Sequence, residues 1–286
     1  MRILDDHRLT LGEGPGYDPV TATAWWFDIP GRRLFTHRFE EGQTVAHTLP
    51  FAASAMAVTG EGRQLLVAEG GLYLRDAGSG ELALHQPLAV DRPGIRSNDA
   101  RVHPSGAFWI STMGWDAEPG AAAIHHYLRG ALRTLWSGLT IPNAICFAPD
   151  GSTAYFADTP THTVMTVPTD PATGLPRGEP VAFLRDLAAP PDGAVTDAAG
   201  NLWIALWGAG EVAGFDPTGR PLATLPVASP NVTCPAFVGP DAETLLVTTA
   251  RHGLGPAEIA ACPAAGATFV GPAPARGRFD PPVRLA

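Results

Sequence analysis

The chain of 286 residues has no lysine; its 19 basic side chains are all arginine. That excludes Schiff-base chemistry and the lysine of a phosphate-cradling P-loop. With 28 acidic residues the net charge is −9, so the basic surface that nucleic-acid binding needs is missing as well. Cysteine is scarce: Cys146, Cys234 and Cys262 form neither a CxxC zinc pair nor a disulfide framework, which fits a reducing compartment. No apolar run reaches the ~18 residues of a membrane-crossing helix, so no membrane partner is expected. Met1-Arg2-Ile3-Leu4-Asp5-Asp6-His7 turns acidic too soon for a signal peptide, and a cytoplasmic location follows as the default. The nine histidines make no HxH, HExxH or HxxxH array. No G-x-S-x-G elbow supports a serine hydrolase. Long amphipathic helices are missing too, apart from a short helical turn around 257–261.

What the sequence does have is repetition. The stretch Pro142-Asn143-Ala144-Ile145-Cys146-Phe147-Ala148-Pro149-Asp150-Gly151 is followed by Ala154-Tyr155-Phe156-Ala157. It reads as two short apolar strands about a Pro-Asp-Gly turn, in which Pro presets φ and Gly tolerates φ > 0. The figure recurs from Ser97 to Ile110, from Pro191 to Ile204, more weakly up to Gly62, and at both ends, from Glu13 to Phe27 and from Gly239 to Val247. The turn glycines at 62, 106, 151 and 200 are separated by 44, 45 and 49 residues. Hairpin units repeating every ~40–50 residues are the sequence sign of a β-propeller. Six such units use up the chain. The expected fold is therefore all-β: one six-bladed β-propeller of four-stranded antiparallel blades, a single domain over 1–286. Arg2-Ile3-Leu4 is expected to add an outer strand to the last blade. Since a propeller closes its own edges, a monomer is the default.

Equivalent positions in the repeats carry chemistry. Eight residues before each turn glycine stand Ser54, Asn98, Asn143 and Asp192; Glu13 holds that place in the first copy and Cys234 in the last. Four of the six bear amide or carboxylate oxygen, where an apolar inner strand gives no packing reason for it. Taken singly, each satisfies backbone groups at a strand start; matched across repeats, they suit a divalent cation. Glu13, Asn143 and Asp192 are the candidate ligands, two carboxylates and an amide, with the rest of the shell open to water and substrate. Arg96 lies two residues before Asn98 and so on the same face of an extended segment. Its guanidinium can hold hydroxyls or a developing oxyanion. Asp99 should point the other way, into a hydrogen bond between blades. Cys234 reads as a buried, inert thiol. Trp115, Trp207 and Phe237 are candidates either for a pocket wall or for core.

Four motifs in order, Leu11-Gly12-Glu13-Gly14-Pro15 with Trp26-Phe27-Asp28-Ile29, Arg96-Ser97-Asn98-Asp99, Ile141-Pro142-Asn143 and Pro191-Asp192-Gly193, resemble the SMP-30/gluconolactonase/luciferin-regenerating (regucalcin-like) family. The segments at 203–208, 230–233 and 248–251 look most like its bacterial sugar lactonases. The resemblance implies one divalent cation held by Glu13, Asn143 and Asp192, with Asn98 and Arg96 facing the substrate. Where relatives often place a substrate-contacting glutamate after the Thr-Met of blade three, this chain has Gly114-Trp115-Asp116. Asp116 would replace it with a shorter reach, or Trp115 would shape the pocket instead.

These readings converge on metal-dependent hydrolysis of a sugar (aldono-) lactone to its aldonic acid, with Asp192 as general base as well as ligand. Two alternatives remain at this level: a non-catalytic, regulatory propeller that binds a divalent metal or ligand, and a hydrolase of another ester, aryl ester or organophosphate. Propellers host both binding and catalysis. Residue types do not choose among calcium, zinc, ferrous iron, manganese and magnesium. All-oxygen ligands disfavour zinc on softness, while three protein ligands with open positions suit a catalytic zinc or ferrous ion.

Overall fold

The computed structural model describes residues 1–89, 92 and 94–285. Its 24 strands form six sheets of four, each antiparallel throughout, the all-β class of a six-bladed β-propeller. Alternation of apolar residues with tight turns dictates this locally. Between inner strand Ile95–Val102 and its partner Phe108–Gly114, for example, the chain reverses through His103–Ala107, with Gly106 at φ +82°. His103 N donates to Ala107 O at 2.7 Å, which closes the hairpin.

Two compact units make up the chain. One contains Met1–Pro50 and Leu187–Phe279 and holds blades one, five and six. In it the inner strand of blade six, Val232–Val238, packs against those of blade one, Gly12–Asp18, and blade five, Pro191–Thr196. Arg2–Asp5 pairs with Thr268–Pro272 and completes blade six, as expected from the sequence. Trp203, Val212, Phe237, Val247 and Phe269 fill one core between these blades, and Trp26, Phe35 and Leu246 another. The short helix Pro256–Ala261 is also present. Phe237 is core, not pocket wall.

The other unit, Phe51–Asp186 with the segment from Asp280 on, holds blades two, three and four. Here Ile95–Val102 of blade three lies between Ala53–Val58 of blade two and Pro142–Phe147 of blade four. All six residues of Pro142–Phe147 are buried, since an inner strand is covered on both faces. Trp109 meets Phe147 edge-on at 5.2 Å between ring centres. The buried His103 ring bridges blades three and four, with Nδ1 2.8 Å from Ser105 Oγ and Nε2 2.9 Å from Gly151 O. The tail, too short to assign from sequence, straps this unit: Val283 N donates to Val58 O, Arg284 N to Gly106 O, and Arg129 N to Arg284 O. Val283 is buried in the core between blades two and three.

Candidate functional site

Every inner strand carries the same irregularity near its start. Its pairing with the second strand slips by one residue, between Glu13 and Gly16, Ala53 and Ala55, Ser97 and Ala100, Asn143 and Cys146, Pro191 and Ala194, and Val232 and Cys234. A bulge of this kind re-aims side chains and frees them from the alternation of the pleat. All the polar positions picked out by their common offset lie at it or beside it, and they divide into two kinds. Glu13 and Asn143 are the last paired residues, opposite Phe27 and Ala157. Each is followed by a left-handed residue, Gly14 at φ +54° and Ala144 at φ +55°. Asn98 and Asp192 lie inside the bulge itself. In blade two the extra residue is Ser54, and in blade six it is Thr233, one before the position that the offset selects, Cys234.

In the unit of blades two to four, the bulge residues form a hydrogen-bonded chain. Arg96 Nη1 donates to Ser97 O at 2.9 Å and to Asn98 Oδ1 at 2.8 Å. Asn98 Nδ2 uses both hydrogens, on Pro142 O at 3.0 Å and on Asn143 Oδ1 at 2.8 Å. Asn143 Nδ2 in turn donates to Thr159 Oγ1 at 2.9 Å. Arg96, Asn98 and Asn143 are all buried. Asn143 is thus fixed at both ends of its amide, and its oxygen, which has two lone pairs, keeps one for a further partner. Asn98 has no donor left for substrate; it orients Asn143. Ser111 Oγ staples the bulge by accepting from Asp99 N, at 2.9 Å, and lies 3.0 Å from Pro142 O.

Asp99 makes the expected bond between blades: Ile145 N donates to its Oδ2 at 2.7 Å. Burial pushes its carboxyl up from 3.8 to about 6, with the Arg101 charge opposing. The adjacent His125 and His126 point apart, His125 between Thr112 and Thr134 and His126 to Thr173 O. Burial pushes the His125 imidazole down to about 4.

Beyond the bulge, the Arg96 guanidinium lies over the Trp115 ring, 5.5 Å from its centre. Trp115 Nε1 donates to Glu69 Oε1 at 3.3 Å. Trp115 is partly exposed and Asp116 is exposed at the turn. The Glu118 carboxylate folds back over Gly114, and Glu118 too is exposed.

In the unit of blades one, five and six, Glu13 and Asp192 are both buried, and Glu13 Oε2 accepts from Gly14 N at 3.1 Å. The glycine of the Pro191-Asp192-Gly193 motif has a steric cause: a Cβ on Gly193 would lie 2.6 Å from Cys234 Cβ and 2.9 Å from Thr233 O. Blades five and six approach closely only because residue 193 has no side chain. Thr233 Oγ1 ties blade six to blade one through Gly12 O at 2.6 Å. Cys234 is fully buried, as expected. Trp207 stands beside His252, ring centres 6.4 Å apart. Among the described residues, no group of three or more His, Cys, Asp or Glu side chains is placed to hold a metal; the candidate set has two carboxylates and takes its third oxygen from an amide.

The sequence pattern of the SMP-30/Gluconolactonase/LRE-like region matches residues 11–251. The chain belongs to this family. It is 48% identical over 286 residues to a protein of Rhizobium meliloti (strain 1021) provisionally named a sugar lactone lactonase, covering 99% of this chain and 97% of that one. It is 33% identical over 293 residues to a pentonolactonase of Haloferax volcanii, covering 98% and 97%. Among solved structures it is similar to a protein of Agrobacterium tumefaciens strain C58 described as a calcium-binding protein, regucalcin, with a TM-score of 0.97, 46% identity, and 99% and 97% of the two chains covered. A gluconolactonase of Xanthomonas campestris, 21% identical at a TM-score of 0.75, shares the fold.

Proposed function

We propose that the protein hydrolyses a sugar lactone to its aldonic acid with the help of one divalent cation. The supporting observation is that four buried amide or carboxylate side chains recur at one backbone irregularity of the inner strands, in a chain whose relatives bear lactonase names. Glu13, Asn143 and Asp192 would hold the cation. The residues fit it: a buried amide oxygen is preset with a lone pair to spare, and two buried carboxylates balance its charge. When bound, the cation supplies Lewis acidity toward the lactone carbonyl.

The chain's own residues do the rest. Asp192 takes a proton from the attacking water as that water adds to the carbonyl carbon. The proton returns to the ring oxygen when the C–O bond breaks, leaving a carboxylic acid and a hydroxyl. General-base help of this kind contributes roughly 10²–10⁴-fold. Arg96, held by Ser97 O and Asn98 Oδ1, faces the charge that develops on the carbonyl oxygen or the substrate's hydroxyls.

The test is proton release from glucono-, galactono-, xylono- and arabinono-lactones, on chelator-treated protein with each divalent ion added back. Turnover restored by an added ion is the expected result. No turnover with any ion, despite metal binding, would instead favour a binding propeller, for which the calcium-binding description of the Agrobacterium protein speaks.

A further inference from the structure

The bulge of blade two carries neither amide nor carboxylate. Its extra residue is Ser54, fully buried on the inner strand Ala53–Val58. A serine hydroxyl has one hydrogen to give. Ser54 Oγ gives it sideways, to Ser97 Oγ of blade three at 2.8 Å. Ser97 Oγ, buried as well, gives its own hydrogen to Val67 O at 3.2 Å. Val67 lies on the second strand of blade two, opposite Ala55. The two hydroxyls thus form a directed relay that leaves blade two, crosses to blade three and returns.

The relay acts where the strand ladder gives out. Ser97 is the last residue of blade three paired before its bulge, opposite Thr112, and pairing resumes only at Ala100. A bulge disrupts the ladder locally, so side chains must hold the backbone there. They pull in opposite directions: Ser97 is moored to blade two by its hydroxyl, and Asn98 to blade four by its amide. Arg96 Nη1 donates to both residues, to Ser97 O at 2.9 Å and to Asn98 Oδ1 at 2.8 Å. The guanidinium therefore takes its place from two neighbours, each fixed from a different blade. We infer that Ser54 is a positioning residue: through Ser97 it fixes the Arg96 guanidinium, and blade two serves the reaction without touching metal or substrate. The kinetic consequence rests on the lactonase reading above; the geometric one does not.

Ser54→Ala is the clean perturbation, because it orphans no buried hydrogen: Ser97 Oγ still donates to Val67 O. Melting within a few degrees of wild type shows that the fold is kept. Heteronuclear NMR of the arginine guanidinium groups reads the geometry directly, with the Arg96 signal identified by its loss in Arg96→Gln. In Ser54→Ala the Arg96 guanidinium should rotate roughly 3–10-fold faster, the worth of one ordinary hydrogen bond. Arg33, paired with Asp28 at 2.9 Å in the other unit, should keep its wild-type rate. On gluconolactone, Ser54→Ala should lose roughly 3–10-fold in kcat/KM, since a misplacement of ~1 Å can cost up to ~10²-fold. In an Arg96→Gln background the same change should cost less than about twofold, because the group it positions is gone. Unchanged Arg96 rotation, wild-type kcat/KM in Ser54→Ala, or an equal loss in both backgrounds would overturn the assignment. A wild-type protein that opens no lactone overturns the lactonase reading instead. The NMR comparison then decides Ser54: faster Arg96 rotation upholds its positioning role, and an unchanged rate refutes it.

Discussion

Replacing Asn98 by alanine separates two roles for that residue, contact with substrate and orientation of Asn143. The side chain makes three hydrogen bonds, and its loss does not orphan all three partners. Pro142 O has Ser111 Oγ at 3.0 Å, whose one hydrogen can turn to it from Asp99 O at 2.9 Å, and Arg96 Nη1 keeps Ser97 O at 2.9 Å. Asn143 Oδ1 alone loses the donor that holds it, at 2.8 Å. One buried acceptor left unpaired costs about 1–3 kcal/mol, so the melting temperature should fall by roughly 2–10 °C, short of unfolding. Asn143 then stays anchored only through Nδ2 on Thr159. Partners that orient a metal ligand are worth about 10–100-fold in affinity, and Asn98→Ala should weaken metal binding by that amount although Asn98 is not a ligand. The assay is calorimetric titration of chelator-treated protein with calcium, manganese and zinc. Asn98→Asp keeps the shape but sets an acceptor against Pro142 O and Asn143 Oδ1, so it should be no more stable than the alanine variant. Wild-type metal affinity in Asn98→Ala, combined with a raised KM for lactone, would refute the reasoning and return Asn98 to the substrate.

Asp192→Ala should abolish lactone turnover while leaving the melting curve cooperative, and unimpaired turnover would sink its role as base. Burial lifts the Asp99 carboxyl to about 6 in the folded protein; the folded state therefore holds its proton more tightly, and stability contributed below pH ~4 is lost as pH rises to ~6, by about 3 kcal/mol. Asp99→Asn should remove that loss, its melting temperature climbing relative to wild type across this window; a constant difference at all pH values would contradict it. Ala144 sits at φ +55°, a left-handed conformation that costs an alanine ~1–2 kcal/mol, so Ala144→Gly should raise the melting temperature by a few degrees, and a drop would count against strain there. Gly193→Ala should be strongly destabilising because its Cβ meets both Cys234 and the Thr233 carbonyl; adding Cys234→Ala should restore only part of the loss, as the carbonyl remains.

The sequence by itself determined the number of blades and the place of the polar positions. Both follow from local rules: strand alternation, turn chemistry at Gly106 and Gly151, and the repeat of that figure along the chain. It also carried the family, through the motifs around Glu13, Asn98, Asn143 and Asp192, and the expectation of an inter-blade bond for Asp99, which holds although residue 99 lies in the bulge. Tertiary structure decided what equal spacing concealed. Counting residues makes Asn98 and Asn143 equivalents, yet one lies inside a bulge and the other just before it, because a bulge changes strand pairing without changing the residue count. Which partner each amide takes was likewise unreadable, since Asn98 meets Asn143 only once blades three and four pack together. Nothing in the repeat pattern accounts for Gly193, whose steric reason lies 41 residues away on Cys234. The path of Glu118 over Gly114 was unreadable for a related reason: it depends on the turn's backbone, which residue types alone do not specify.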